Sequence, residues 1–220
     1  MNYLQLVQRV HRESGRSTAA PTSVTGANER HARLFDWVAD AWRNLQIERE
    51  WRWMRTTLDV ALTVGQQTYT AAGLGATRFG RWRLDDDTYN PYLYISGFPN
   101  TLWPMQYHQL DEFRALYVYR TWGSSTPVAW TFDETNQLLV GPQPAIAYML
   151  RQEFWLEPSE LEDDADTPDM PSRFHMLLVW RALQEVAKFD AAPEVLARAE
   201  KNYADLRTRI LLDQARNPHK

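Results

Sequence analysis

The sequence predicts an α+β protein. It reads as a mainly helical bundle built from the N- and C-terminal helices, residues 1–55 and 159–220, with an inserted β-rich region of hairpins and small sheet, residues 56–158. Three observations carry this reading. Apolar residues recur with a helical period near both ends of the chain and alternate in the middle. Runs of Gly, Pro, Ser, Asp and Asn punctuate the changes of period. At 220 residues the chain is long enough to bury a real core, as one domain or as a domain with a modest insertion.

Tyr3, Leu6, Val7 and Val10 lie at helical spacing and predict a short helix over residues 3–12. ESGRSTAAPTSVTGA then predicts a loop. Asn28 is suited to cap the next helix, with Glu29 in the first turn where the backbone dipole favours an acid. Leu34, Phe35, Val38, Ala41, Trp42 and Leu45 form one stripe of that helix, which runs to about Arg49. Its polar face alternates Arg with Asp or Glu and suits solvent or a subunit contact.

The period then changes. In RTTLDVALTVGQQTYTA, Leu58, Val60 and Leu62 alternate ahead of Gly65 and Gln66, which predicts strand, turn and strand. Residues 73–100 predict loops with short strands at RFGRWRL and PYLYISG. QLDEFRALYVY predicts a short helix with Asp111 and Glu112 near its start. TPVAWTFD and QLLVGP predict a hairpin around Glu134, Thr135 and Asn136. AYMLRQEFWLEP, alternating Tyr148, Leu150 and Phe154, predicts its returning strand.

After an acidic stretch, Pro171 and Ser172 open a helix whose stripe is Met176, Val179, Trp180, Leu183 and Val186 or Ala187. Pro193 suits a first helical position. Val195, Ala199, Tyr203, Leu206 and Ile210 line the last helix, which ends in a polar tail, ARNPHK, expected to be mobile.

Composition narrows the function classes. Ten Trp favour a protein that buries large amphipathic rings against itself or against partners. The absence of Cys removes disulfides and thiolate metal sites and fits a reducing compartment. No apolar run has the length of a membrane span, and the first residues are amphipathic rather than signal-like. The net charge of −4 is uneven: Glu157, Glu160, Glu162, Asp163, Asp164, Asp166 and Asp169 form an acidic strap without Lys or Arg, and the rest of the chain is +3. Such a strap reads either as a solvated loop or as a docking element for a basic surface.

No catalytic constellation emerges. GxGxxG, Walker, HExxH and GxSxG motifs are absent, and the five His residues lack ligand spacing. Asp85, Asp86 and Asp87 suggest calcium, but an EF-hand loop begun at Asp85 needs Gly where Asn90 stands and Glu where Ser96 stands. His175, early on a helix, could serve as a base, yet without a partner arranged for catalysis it reads as structural. Trp51, Trp53, Trp82, Trp103, Trp122 and Trp130 could form a sugar-stacking platform. Because they fall in several elements, filling of core and subunit seams is the better reading. The arginines of EREWRWMR could meet nucleic acid, but Glu48 and Glu50 cancel half their charge.

The order of elements resembles the head-to-tail adaptor proteins of tailed bacteriophages. The likeness lies in NERHARLFDWVADAWRNLQIEREWRWMR, in the WTFDETNQLLVGPQP hairpin, in the acidic and proline-bearing joint EDDADTPDMPSRFH, and in the closing pair of helices. It covers most of residues 28–213, although residues 73–120 match nothing in that layout. The resemblance implies a non-enzymatic virion protein of the neck, made in the host cytoplasm. It forms a homo-oligomeric ring, commonly of twelve copies, beneath the portal protein. That ring extends the channel through which viral DNA passes without sequence-specific binding, and it gives a tail or nozzle protein its attachment surface. No membrane and no cofactor are implied. In such proteins a C-terminal segment docks on the portal, which here implies Leu211, Leu212, Gln214, Arg216, Asn217, Pro218, His219 and Lys220. The seam between neighbours would use Glu160, Glu162, Asp163, Asp164 and Asp166 on one side and Arg49, Arg52 and Trp53 on the other. A competing reading, drawn from the Trp and Tyr of the middle region, is a tail-associated carbohydrate- or host-binding module.

Overall fold

A computed structural model describes residues 1–15, 18–25, 27–84, 89–120 and 123–215. The protein is mixed α+β, with five α-helices and two sheets among the described residues. In chain order these are α1 (Tyr3–Glu13), α2 (Glu29–Glu48), β1 (Arg55–Leu62), β2 (Thr68–Tyr69), β3 (Phe79–Trp82), β4 (Tyr92–Ile95) and β5 (Phe98–Pro104). Then follow β6 (Gln106–Tyr107), α3 (Leu110–Phe113), β7 (Ala129–Phe132), β8 (Leu138–Gly141), β9 (Tyr148–Leu156), α4 (Met176–Phe189) and α5 (Pro193–Ala215). The chain divides into two compact units, Met1–Met54 with Pro158–Lys220, and Arg55–Glu157.

In the first unit, helix starts are set by side chains that satisfy free backbone donors. Asn2 Oδ1 accepts from Gln5 N–H at 2.9 Å while Gln5 Oε1 accepts from Asn2 N–H at 3.1 Å, a reciprocal cap on α1. Asn28 Oδ1 accepts from His31 N–H at 2.9 Å and opens α2. Helix α4 packs against α1, α2 and α5, and α1 packs against α2. The expected α2 stripe is the buried one, from Leu34 to Leu45. On α4 the expected Val179, Leu183, Val186 and Ala187 are buried, together with Leu177, Leu178 and Ala182, whereas Met176 and Trp180 are half-buried. A helix with neighbours on three sides buries more than one stripe, so its pattern does not single out a face. On α5 only Ala199 and Ile210 are buried among the expected positions, and Val195, Tyr203 and Leu206 are half-buried.

The acidic strap is part of this unit. Leu161, Pro168 and Met170 are buried, and strap carbonyls serve the first turn of α1: Tyr3 N–H donates to Asp166 O at 2.7 Å and Leu4 N–H to Asp164 O at 3.3 Å. The solvated-loop reading therefore fails for its backbone.

The second unit contains two sheets that share one core. One sheet has the order β1-β9-β4-β5, all antiparallel, with β3 also paired to β9. The other has the order β2-β8-β7-β6, antiparallel except for β6 and β7. Val60, Leu62, Trp82, Leu93 and Leu150 from the first and Tyr69, Trp130, Leu138 and Val140 from the second lie in one buried cluster. The hairpin of β7 and β8 forms as the sequence indicates, with Thr131 opposite Leu139. Its turn is held by Asp133, whose Oδ1 accepts from Thr135 N–H (2.8 Å), Thr135 Oγ1 (2.7 Å) and Gln137 N–H (2.9 Å). Burial pushes that carboxyl up, but these donors outweigh it and hold it below its ordinary pKa. One sequence expectation needs correction. Strand β9 does not return to that hairpin: it pairs with β1 along its length, Arg55 opposite Trp155 and Leu62 opposite Tyr148, and with β3 and β4 on the other side. The expected strand, turn and strand at β1 and β2 form, and the two strands enter different sheets. Strands β5 and β6 are additional to those expected. The predicted turn at Asp85–Asp87 lies outside the described residues.

Candidate functional site

Among the residues singled out, Arg52 and Gln214 meet at the last turns of α5. The chain leaves α2 through an extended Arg49. Trp51, fully buried, turns back so that its Nε1–H donates to Leu45 O at 2.5 Å, taking up a carbonyl in the last turn of α2. Trp53 stacks on Trp51 with ring centroids 4.5 Å apart and planes 14° apart. The Arg49 guanidinium lies over the Trp51 ring at 5.3 Å. Arg52 N–H then donates to Gln214 Oε1 at 3.0 Å, which joins this corner to the end of α5.

Along the same end of α5 runs an open groove of about 580 Å³, lined by Arg173, Phe174, Leu206, Arg209, Leu212 and Asp213. Leu206, Arg209 and Asp213 are three and four residues apart, hence on one helical face. Arg173 crosses from the turn before α4, pairing with Asp213 at 2.7 Å and covering the Phe174 ring at 4.9 Å. Leu212 is 61% exposed. The groove is thus apolar with a charged rim, a shape suited to holding a protein segment rather than to bond chemistry. Of the residues tied to portal docking, Leu211 is half-buried, Leu212 lines the groove and Gln214 is anchored. Arg216, Asn217, Pro218, His219 and Lys220 lie outside the described residues. Arg173 and Phe174 are not legible as groove residues in the sequence, since only the fold sets the turn before α4 beside the end of α5.

The strap acids divide by role. Glu160 accepts from Arg43 Nη2 at 2.9 Å and Arg43 Nε at 3.2 Å. Asp164 Oδ1 accepts from Val24 N–H at 2.7 Å. Asp166 accepts from Asp163 N–H at 2.7 Å and Glu162 N–H at 2.8 Å, and those bonds hold its pKa below the usual carboxylate range. Glu162 and Asp163 themselves are exposed. Asp164 and Asp166 therefore build the strap, while Glu162 and Asp163 present charge outward.

His175 is buried and takes a structural position. Its Nε2 lies 3.1 Å from Met170 O and its Nδ1 2.7 Å from the Met1 amine, which fits a neutral ring protonated on Nε2. Burial is the main force that lowers its pKa, with the Met1 charge acting the same way. A depressed folded-state pKa means that the unfolded chain takes up the proton first. The contribution is whole above the ordinary value near 6.5 and drains as pH falls from there through the folded-state value, by up to about 1.4 kcal/mol per pH unit. The melting temperature should accordingly drop between pH 7.5 and 5.5, and the drop should shrink in His175→Gln. An equal pH response in the two proteins would refute this assignment.

Trp51, Trp82 and Trp130 are buried, Trp53 is half-buried and Trp103 is exposed. These rings do not make a common stacking platform, and Trp122 lies outside the described residues. Among the described residues no group of three or more His, Asp and Glu is placed to hold a metal ion, and no helix is long and apolar enough to cross a membrane.

No curated protein matches the sequence. The family model of the SU10 adaptor protein matches residues 1–219, nearly the whole chain. A match of that extent takes in the helices at both ends, the strap and the β-rich middle together, so the chain belongs to the SU10 adaptor protein family and is a structural adaptor protein of phage.

Proposed function

We propose that the protein is a ring-forming head-to-tail adaptor without enzymatic activity. Twelve copies sit beneath the portal, continue the DNA channel and offer the surface to which a tail or nozzle protein attaches. The helices of residues 1–55 and 159–220 act as one bundle domain carrying the β-rich residues 56–158 as an insertion. The end of α5 docks on the portal, and Glu162 and Asp163 of the strap face a basic surface of a neighbouring subunit.

The observation that carries this reading is the groove at the end of α5. Leu212 is exposed beside Arg173 and Arg209, next to an aromatic corner stiffened by Trp51 and Trp53. Rigid anchors and an apolar centre with a charged rim are what a protein interface uses. Charge balance agrees with a DNA passage. The unit of residues 1–54 and 158–220 holds 17 Lys and Arg against 18 Asp and Glu, no basic excess with which to grip phosphates. Mass measurement of the protein alone and mixed with portal provides the test. Mixing should convert single chains into a large closed assembly. Leu212→Asp should weaken portal binding by about tenfold or more with the fold unchanged, since the position is exposed. Undiminished binding by that variant would refute the docking end, and no joint assembly at all would refute the ring.

A further inference from the structure

Charge is distributed unequally between the two units. Residues 55–157 carry 17 charged residues in 103, whereas the other unit carries 35 in 117. The shortage is concentrated: residues 60–77, 88–110, 121–132 and 135–150 contain no Asp, Glu, Lys or Arg. The fold brings turns from all four stretches together. Gly65 N–H donates to Pro144 O at 2.9 Å, Ala145 N–H to Ser125 O at 3.0 Å, and Ser96 N–H to Ala147 O at 3.4 Å. One end of the β unit is therefore an uncharged set of loops. It exposes Val64, Val128 and Ile146, each by 47–56% of its surface.

A second uncharged surface lies on the same unit. Strand β5 is the edge of its sheet, and six of its seven residues are exposed, so neither of its faces is packed. It presents Leu102 and Trp103 to solvent. Pro99 and Pro104 remove backbone donors from this edge, which therefore offers side chains rather than strand pairing. Depletion of charge together with exposed aromatic and aliphatic side chains marks the centre of a protein interface.

We infer that these are the two halves of one contact between copies of this chain: the loop end of one copy, centred on Val64 and Ile146, packs on the Leu102 and Trp103 surface of β5 in the next. The chain itself supplies both surfaces, and each lacks the charges that would match a polar partner. Because they are different patches, the contact is heterologous and repeats from copy to copy, as a closed ring demands. The inference rests on the ring reading above and adds which surfaces make the seam.

The test uses the full chain and two exposed positions, Ile146→Asp and Trp103→Asp. Sedimentation velocity over a range of concentrations, with and without portal, reads the mass, and circular dichroism checks the fold. With portal present, wild type should assemble beyond two copies. Each variant alone should associate at least about thirtyfold more weakly, as for loss of a central apolar anchor. An equimolar mixture of the two variants should stop at two chains, because each brings one intact surface. If either variant proves unstable, Val64→Asp and Leu102→Asp repeat the experiment. Variants that assemble like wild type would overturn the seam and leave the adaptor reading standing. Variants that self-associate normally but lose a tail or portal protein would replace the second copy by that partner. Wild type that never exceeds a single chain, even with portal, would overturn both.

Discussion

Trp42→Ala should destabilise the helical unit by about 3–5 kcal/mol, the range for emptying a large aromatic site in a packed core. Trp42 has no exposed surface, and it does two things at once. Its ring fills the space behind the α2 stripe, and its Nε1–H donates to Ser159 Oγ at 3.2 Å. One turn later, Gln46 holds the same residue: Gln46 Nε2 donates to Ser159 O at 2.9 Å, and Gln46 Oε1 accepts from Ser159 N–H at 2.8 Å. The strap thus enters the unit through a clamp built from two positions four residues apart on α2. Collapse into the cavity is resisted by helix packing, so the transfer and cavity terms add. Trp42→Phe keeps most of the ring volume and gives up the hydrogen bond, for a loss of about 1–2 kcal/mol. Denaturant unfolding followed by helical circular dichroism reads both. A Trp42→Ala loss below about 1 kcal/mol would show that the site relaxes and that the clamp does not organise the unit.

The sequence revealed elements whose two sides differ and obscured those whose two sides are alike. Helix α2 has one buried face, and all six of its expected stripe residues are buried. Helix α4 is covered on several sides, so Leu177 and Leu178 are buried beside the expected Val179 and Leu183, while the expected Met176 and Trp180 are only half-buried. Strand β5 shows the converse, since exposure of both faces leaves no alternation to detect. Strand partners are a property of the whole chain: the alternation of β9 is visible in its sequence, yet in its pairing with β1 Trp155 lies opposite Arg55, 100 residues earlier. In the strap, seven acids concealed three apolar residues, Leu161, Pro168 and Met170, that tie it to the core. At the groove by the end of α5, Leu212 and, beside it, Gln214 could be named from the family resemblance. Arg173 and Phe174 could not, because the pairing with Asp213 spans 40 residues of sequence.

The counterpart in the β unit is Trp82→Ala, expected to cost a similar 3–5 kcal/mol. Trp82 sits on β3 with 2% of its surface exposed. Its ring lies 4.6 Å from Phe79 and 6.2 Å from Phe154, while its Nε1–H donates to Asn136 O at 2.9 Å. Asn136 belongs to the turn between β7 and β8, so this one side chain links the two sheets. Its removal opens the shared core and leaves that carbonyl without its donor. The paired substitutions also discriminate between one cooperative fold and two. If residues 55–157 fold as a domain of their own, Trp82→Ala should strip hydrogen-exchange protection from the β1 and β9 amides and leave α2 and α4 protected, while Trp42→Ala does the reverse. Equal loss of protection everywhere in both variants would mean that the units unfold together. An insertion would then be only a description of chain order.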